Sequence, residues 1–241
     1  YETRNEKHLE DGFFQGKKVI GFFAVLDGHG GDKCSKAAAE RLQKQVRVKL
    51  QLANQNWHDN GMQPNEENSV GKALTDAFLD TDNQLKREFT TDELFNVGST
   101  CTSCLVLLDD GTTSPEQSSS HESSSEQEEQ GKGRQNLGGS PHYLVYLANI
   151  GDSRTIIFDG ERDIANATVF ASDDHKPGND EEKLRITNAG GFVSMADPPR
   201  IDDKLAVSRA FGDLEYKSNA QKSDTEQKVT FVQFLFYFYL L

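Results

Sequence analysis

Two segments of this chain end an apolar run on an aspartate beside a glycine. "FFAVLDGHGG" delivers Asp27, and "YLVYLANIGD" delivers Asp152. A third acidic feature, Glu10-Asp11 in "HLEDGF", stands just ahead of the stretch that leads to Asp27. Carboxylates gathered at neighbouring strand ends repel one another unless a cation neutralises them. Hard divalent ions such as Mg²⁺ and Mn²⁺ take carboxylate, carbonyl and water oxygens. A glycine directly after Asp27 leaves the Gly28 carbonyl sterically open as a further ligand. Two such ions lower the pKa of a shared water and stabilise charge building on a phosphoryl oxygen. Each feature also has a plainer counterpart. Asp-Gly at a strand end makes a turn, an acidic pair sits on solvated surface, and His29 as a neutral, hydrogen-bonded residue does no chemistry.

The elements that must position these residues are readable from periodicity. Val19 to Leu26 is apolar, β-branched and aromatic, which predicts a strand buried on both faces. Ala38, Leu42, Val46 and Leu50 recur every fourth residue and predict a helix over 35–50. The polar stretch 54–68 predicts a loop, and a second amphipathic helix follows over 69–89, carrying Val70, Ala73, Leu74, Ala77, Phe78 and Leu85. Thr100 to Leu108 and Tyr143 to Ile150 read as a strand hairpin, with Thr155 to Phe158 as a further strand after "GDSR". Between the hairpin strands, 112–140 turns to serine, glutamate, glutamine and glycine. Such a composition cannot bury enough surface to offset its ordering entropy, so a disordered insertion is expected. Its "HESSSEQEEQ" run would suit an acid-directed kinase, although solvated filler is the simpler account. Glu181 to Ala189 predicts a short helix stopped by Gly190-Gly191, and Leu205 to Val207 is a short apolar stretch leading into "SRAFGD". Strands and helices without regular alternation predict an α+β protein built on antiparallel sheets.

The chain has 241 residues and a formal net charge of −13, which argues against a sequence-independent nucleic-acid binder. Three cysteines are too few for a disulfide framework and fit a reducing compartment, cytoplasmic or nuclear. Cys101 and Cys104 form a C-x-x-C pair, but on a strand their side chains point to opposite faces, as small core residues do. The closing "FVQFLFYFYLL" is apolar and aromatic, yet shorter than the ~20 residues a membrane-spanning helix needs, so no membrane partner is expected.

Read in order, "LEDGF", "FFAVLDGHGG", "GSTCTSCLVL", "YLANIGDSRTIIF", "DDHKPGNDEEKLRITNAGGFVS" and "LAVSRAFGDLEYK" resemble the metal-dependent PPM-type (PP2C-like) protein serine/threonine phosphatases. The resemblance implies an α-β-β-α sandwich of two antiparallel sheets flanked by helices. It implies two or more Mn²⁺ or Mg²⁺ ions, two of them bridged by Asp27, with the Gly28 carbonyl on one of these. Glu10 and Asp11 would support the metals, and Asp152 would serve a further metal site. His29 matches a general acid for the leaving alkoxide, and Arg209 lies in a motif near the catalytic face, where it is a candidate for the substrate phosphate and a packing role is the alternative. His175 would shape a loop, and the segment from Pro177 to Gly191 would form a flap beside the cleft. The implied reaction is attack of a metal-activated water on phosphoserine or phosphothreonine of phosphoprotein substrates, without a phosphoenzyme. Oligomeric state is left open.

Two departures stand beside the resemblance. Where family members carry a phosphate-gripping arginine ahead of the acidic pair, this chain has Glu6, and Arg4 is the nearest candidate. The family's later "DGxxD" and "DN" motifs do not follow "RAFGDLEYK". On this reading 1–230 is a partial phosphatase domain and 231–241 an apolar tail foreign to the family, of the kind a truncated or mis-spliced gene model produces. Loss of those metal ligands would impair catalysis. The alternative function is a catalytically silent protein that holds phosphoproteins on a phosphatase-like surface.

Overall fold

The computed structural model describes residues 13–14, 17–59, 66–89, 93–109, 142–162, 167–217, 223, 226–230 and 234–240. Arg4, Glu6, Glu10, Asp11 and the insertion at 112–140 lie outside the described residues. The main sheet is antiparallel, in the order β1 (Phe13–Phe14), β2 (Lys17–Val25), β5 (Cys101–Asp109), β6 (His142–Ile150), β10 (Phe234–Leu240). β5 and β6 pair in one unbroken register from Cys101↔Ile150 to Asp109↔His142, the hairpin expected from two apolar runs of matched length. The apolar tail supplies β10, which covers the β6 edge with Tyr237 opposite Tyr146.

Two long helices pack on one face of this sheet. α1 (Lys33–Asp59) buries Ala38, Leu42, Val46 and Leu50, and α2 (Glu66–Glu88) buries Val70, Leu74, Phe78 and Leu85. They meet Leu105 and Leu107 of β5 and Leu144, Tyr146, Ala148 and Ile150 of β6 in the larger core. Each helix runs further than periodicity alone indicated. Part of the expected 54–68 loop is helical, up to Asp59 and again from Glu66, because neither Asn54 to Asp59 nor Glu66 to Asn68 contains a glycine or proline to break it. No helix among the described residues is long and apolar enough to cross a membrane.

One expectation fails on β2. Its buried face is only the helix-facing one, and Phe23 (56%) and Val25 (53%) on the other are exposed. A bulge between Val19 and Gly21 resets the alternation, and no second layer covers that face among the described residues. The C-x-x-C pair divides as expected, with Cys101 fully buried and Cys104 partly exposed on the opposite face. All three cysteines are free.

A second, smaller core lies under α3 (Asp180–Asn188) and joins Ile186 to Ile201, Val207, Ala210, Tyr216 and Val229. β7 (Ile156–Phe158) and β8 (Thr168–Ala171) form a separate hairpin. Between the two cores runs a three-stranded ribbon of two-residue strands, β3 (Gly28–His29), β4 (Gly98–Ser99) and β9 (Phe211–Gly212). This ribbon positions the site.

Candidate active site

Asp27 follows the end of β2, and its backbone is pinned there. Its carbonyl accepts hydrogen bonds from the Thr100 amide at 2.9 Å and the Ser99 hydroxyl at 3.2 Å. The chain then enters β3, where Gly28 pairs with Ser99 and His29 with Gly98, while Gly98 pairs with Gly212 on the other side. The ribbon thus lays His29, Gly98 and the Gly212-Asp213 step side by side. His29 Nε2 lies 2.7 Å from Asp213 Oδ2, and that carboxylate is only 1% exposed. With Asp213 ionised, Nε2 carries the proton and donates it. Gly98 makes this contact possible, since a Cβ there would run into both the Asp213 carboxylate and the imidazole.

Asp152 arrives from the other direction, in the turn after β6. The Gly151 amide donates to His175 Nδ1 at 3.2 Å, and the His175 amide donates to the Gly151 carbonyl at 2.8 Å. His175 therefore shapes the loop that carries Asp152. Burial, reinforced by the nearby charge of Arg209, pushes its pKa down to about 4, so it stays neutral. A hydrogen bond of 2.6 Å between the Thr100 and Ser153 hydroxyls ties this turn to the anchor of Asp27.

These segments enclose one cavity of about 450 Å³, lined by Asp27, His29, Thr100, Asp152 and Asp213 and also by Arg200 and Lys204. Gly28 lies between two lining residues without lining the cavity itself. The cavity brings together Asp27, His29 and Asp152, three of the residues singled out from sequence. Its acidic donors are all hard oxygens, the set that suits Mg²⁺ or Mn²⁺. Among the described residues, no three histidine, cysteine, aspartate or glutamate side chains stand close enough to hold a metal unaided. Mg²⁺ commonly keeps several waters and takes only one or two protein carboxylates, so the donor chemistry fits while a closed cage is not formed by these residues alone.

Arg209 is a correction. It does not line the cavity; its guanidinium is buried and ion-paired to Glu182 of α3, through Nε at 3.1 Å and through Nη2. A guanidinium buried at 6% exposure and turned onto Glu182 is not presented to a substrate phosphate in this cavity, which favours the packing alternative. The cations that do line the cavity, Arg200 and Lys204, were not singled out from sequence. Lys204 shares its charge with Glu215 at 2.9 Å, and Arg200 donates from Nη1 to the Lys204 carbonyl at 2.7 Å. Asp213 was missed as well, although "AFGD" repeats the apolar-glycine-aspartate pattern of "NIGD" that marked Asp152.

Comparison with known proteins agrees with this architecture. Residues 2–233 match the family model of protein phosphatase 2C. The chain is 32% identical over 209 residues to protein phosphatase 2C homolog 2 of Schizosaccharomyces pombe, covering 87% of this chain and 42% of that protein. It is 31% identical over 229 residues to the probable protein phosphatase 2C 6 of Paramecium tetraurelia, covering 95% of this chain and 61% of that protein. The chain thus spans less than two thirds of the length of these relatives. In fold it is similar to a crystal structure of serine-threonine phosphatase 2C from Toxoplasma gondii, with a TM-score of 0.61, 19% identity, and coverage of 94% of this chain and 66% of that one.

Proposed function

The chain belongs to the protein phosphatase 2C family, and from that premise we propose that it hydrolyses phosphoserine and phosphothreonine in proteins, with Mn²⁺ or Mg²⁺ as cofactor. The observation that carries the reading is the convergence of Asp27, Asp152 and Asp213 with His29 on one cavity, from three separate segments. Asp27 and Asp152 would hold the ions, together with the Gly28 carbonyl and with Glu10 and Asp11, which lie outside the described residues. When bound, the ions supply positive charge that lowers the pKa of water and neutralises phosphoryl oxygens.

The side chains divide the remaining work. Asp213 orients His29 through Nε2, and a doubly protonated His29 would offer its Nδ1 proton to the departing serine or threonine oxygen. Arg200, rather than the committed Arg209, faces the phosphoryl group from the cavity wall. Free cysteines and the acidic charge suit a cytoplasmic or nuclear setting.

The test is Mn²⁺-dependent phosphate release from a phosphothreonine peptide by the full chain. Asp27→Asn should abolish it. His29→Gln should slow it by roughly 10²- to 10⁴-fold, and should do far less to p-nitrophenyl phosphate, whose leaving group needs no proton. No release by the unmodified chain, or release indifferent to Asp27→Asn, would overturn the proposal and favour a phosphatase-like binder.

A further inference from the structure

The segment that carries Asp213 into the cavity is gripped from behind by α2. Asp82 is 0% exposed, and its Oδ1 accepts from Lys217 Nζ at 2.9 Å and from the Gly212 amide at 2.9 Å. Lys217 Nζ also donates to the Ala210 carbonyl at 2.7 Å. One helical turn earlier on the same face of α2, Phe78 stacks on Phe211 with ring centroids 5.3 Å apart. Ala210, Phe211 and Gly212 are therefore each held, and the next residue is Asp213.

The backbone at this point needs such a hold. Gly212 and Asp213 both have positive φ, 72° and 50°. A Cβ at Gly212 would collide with the Val97 carbonyl and the Cys34 thiol, so no other residue fits the turn. Asp213 as a non-glycine residue sits in the left-handed region only where its surroundings insist on it. The bond from the Gly212 amide to Asp82 fixes the peptide just before that residue and so the direction in which the Asp213 carboxylate leaves the chain. A buried ion pair is a weak source of stability but a demanding one in geometry.

We propose that Asp82, with Lys217 as its partner, is a positioning residue that locks the Ala210–Gly212 turn onto α2 and so holds the Asp213 carboxylate against His29 Nε2. Its kinetic consequence rests on the phosphatase reading, whereas its structural consequence does not. A hydrogen bond from Nε2 to a buried carboxylate shields that proton from exchange with water.

The experiment is a ¹H–¹⁵N spectrum of the full chain at about pH 8, above the ordinary histidine pKa of about 6.5, with His29→Gln identifying the Nε2–H signal. The unmodified chain should show a protected, downfield Nε2–H resonance from His29. Asp82→Asn should lose it. Because that variant strands a buried lysine, Asp82→Leu with Lys217→Met removes both charges together and should lose it too. Ile186→Ala, which opens a cavity in the other core, should keep it. In phosphopeptide hydrolysis, both Asp82 variants should drop kcat by about tenfold or more with KM within about twofold. A folded Asp82 variant that retains the protected resonance would overturn the proposal. An unmodified chain that releases no phosphate would sink the phosphatase reading and leave the resonance to decide the role of Asp82.

Discussion

The buried ion pair between α3 and the segment leading to Asp213 makes a quantitative demand on stability. Glu182 is 3% exposed, bonded to Arg209 on one oxygen and to Arg185 Nη2 at 2.7 Å on the other. Burial alone would raise its pKa, but the Arg209 hydrogen bond and the charges of Arg185 and Arg209 outweigh it and hold the carboxyl down to about 2, from an ordinary 4.5. At about 1.4 kcal/mol per pH unit, that gap corresponds to roughly 3 kcal/mol of folding free energy. The sign follows from the depressed pKa. The contribution is fully present above pH 4.5, where the unfolded chain is also ionised, and is lost as pH falls through about 2. Glu182→Gln should therefore cost about 3 kcal/mol at pH 7, and up to about 5 because two guanidinium groups are left facing a neutral amide. Urea unfolding of both proteins at pH 7 and at intervals down to pH 2 measures it. The difference between them should shrink toward zero at the acid end, since other carboxylates titrate alike in both. A loss below about 1 kcal/mol at pH 7, or parallel pH curves, would refute the assignment.

Two further outcomes follow from the packing. Gly98→Ala places a methyl group against the Asp213 carboxylate and the His29 ring; it should cost about 1–3 kcal/mol and abolish the protected Nε2–H signal, and a variant with an unchanged spectrum would show that the pair has room to spare. The cysteines should be inert: burial pushes the Cys34 and Cys101 thiols up and raises Cys104 to about 11. A thiol-reactive dye at about pH 8 should label none of them in the native chain and all of them in guanidinium. Rapid native labelling, or a disulfide between Cys101 and Cys104, would contradict the core assignment.

What the sequence made legible was local. The fourfold spacing on α1 named its buried face correctly, and the hairpin of β5 and β6 was readable across a long polar insertion because both strands are apolar and equal in length. Asp27 and Asp152 announced themselves by ending such strands. What stayed hidden depends on partners remote in the chain. The exposure of Phe23 is decided by whether a layer covers β2, which no property of β2 encodes. The acid partner of His29 lies 184 residues away, reached through strands of two residues that carry no periodicity. Arg209 looked available for phosphate because its partner Glu182 lies 27 residues earlier, on α3, and nothing in the local sequence signals the pairing.

Arg209 and Lys217 stand equidistant in sequence from Asp213, one on either side, and each is drawn into a buried carboxylate of a different helix: Glu182 on α3 and Asp82 on α2. The strand between them, β9, has only two residues, too few for ladder hydrogen bonds to set its register. Apolar contacts from Phe211, Ala210 and Tyr216 hold the segment down but tolerate sliding, because dispersion is not directional. Ion pairs with fixed hydrogen-bond geometry do not tolerate it. Two pins at opposite ends, reaching opposite cores, fix both where the segment lies and how it is rotated, and rotation decides whether Asp213 meets His29. The pair at Glu182 fixes the segment to α3 and the smaller core, while the pair at Asp82 fixes it to α2 and the larger core. Neutralising Glu182 should accordingly be read mainly in stability, and neutralising Asp82 mainly in the His29 contact.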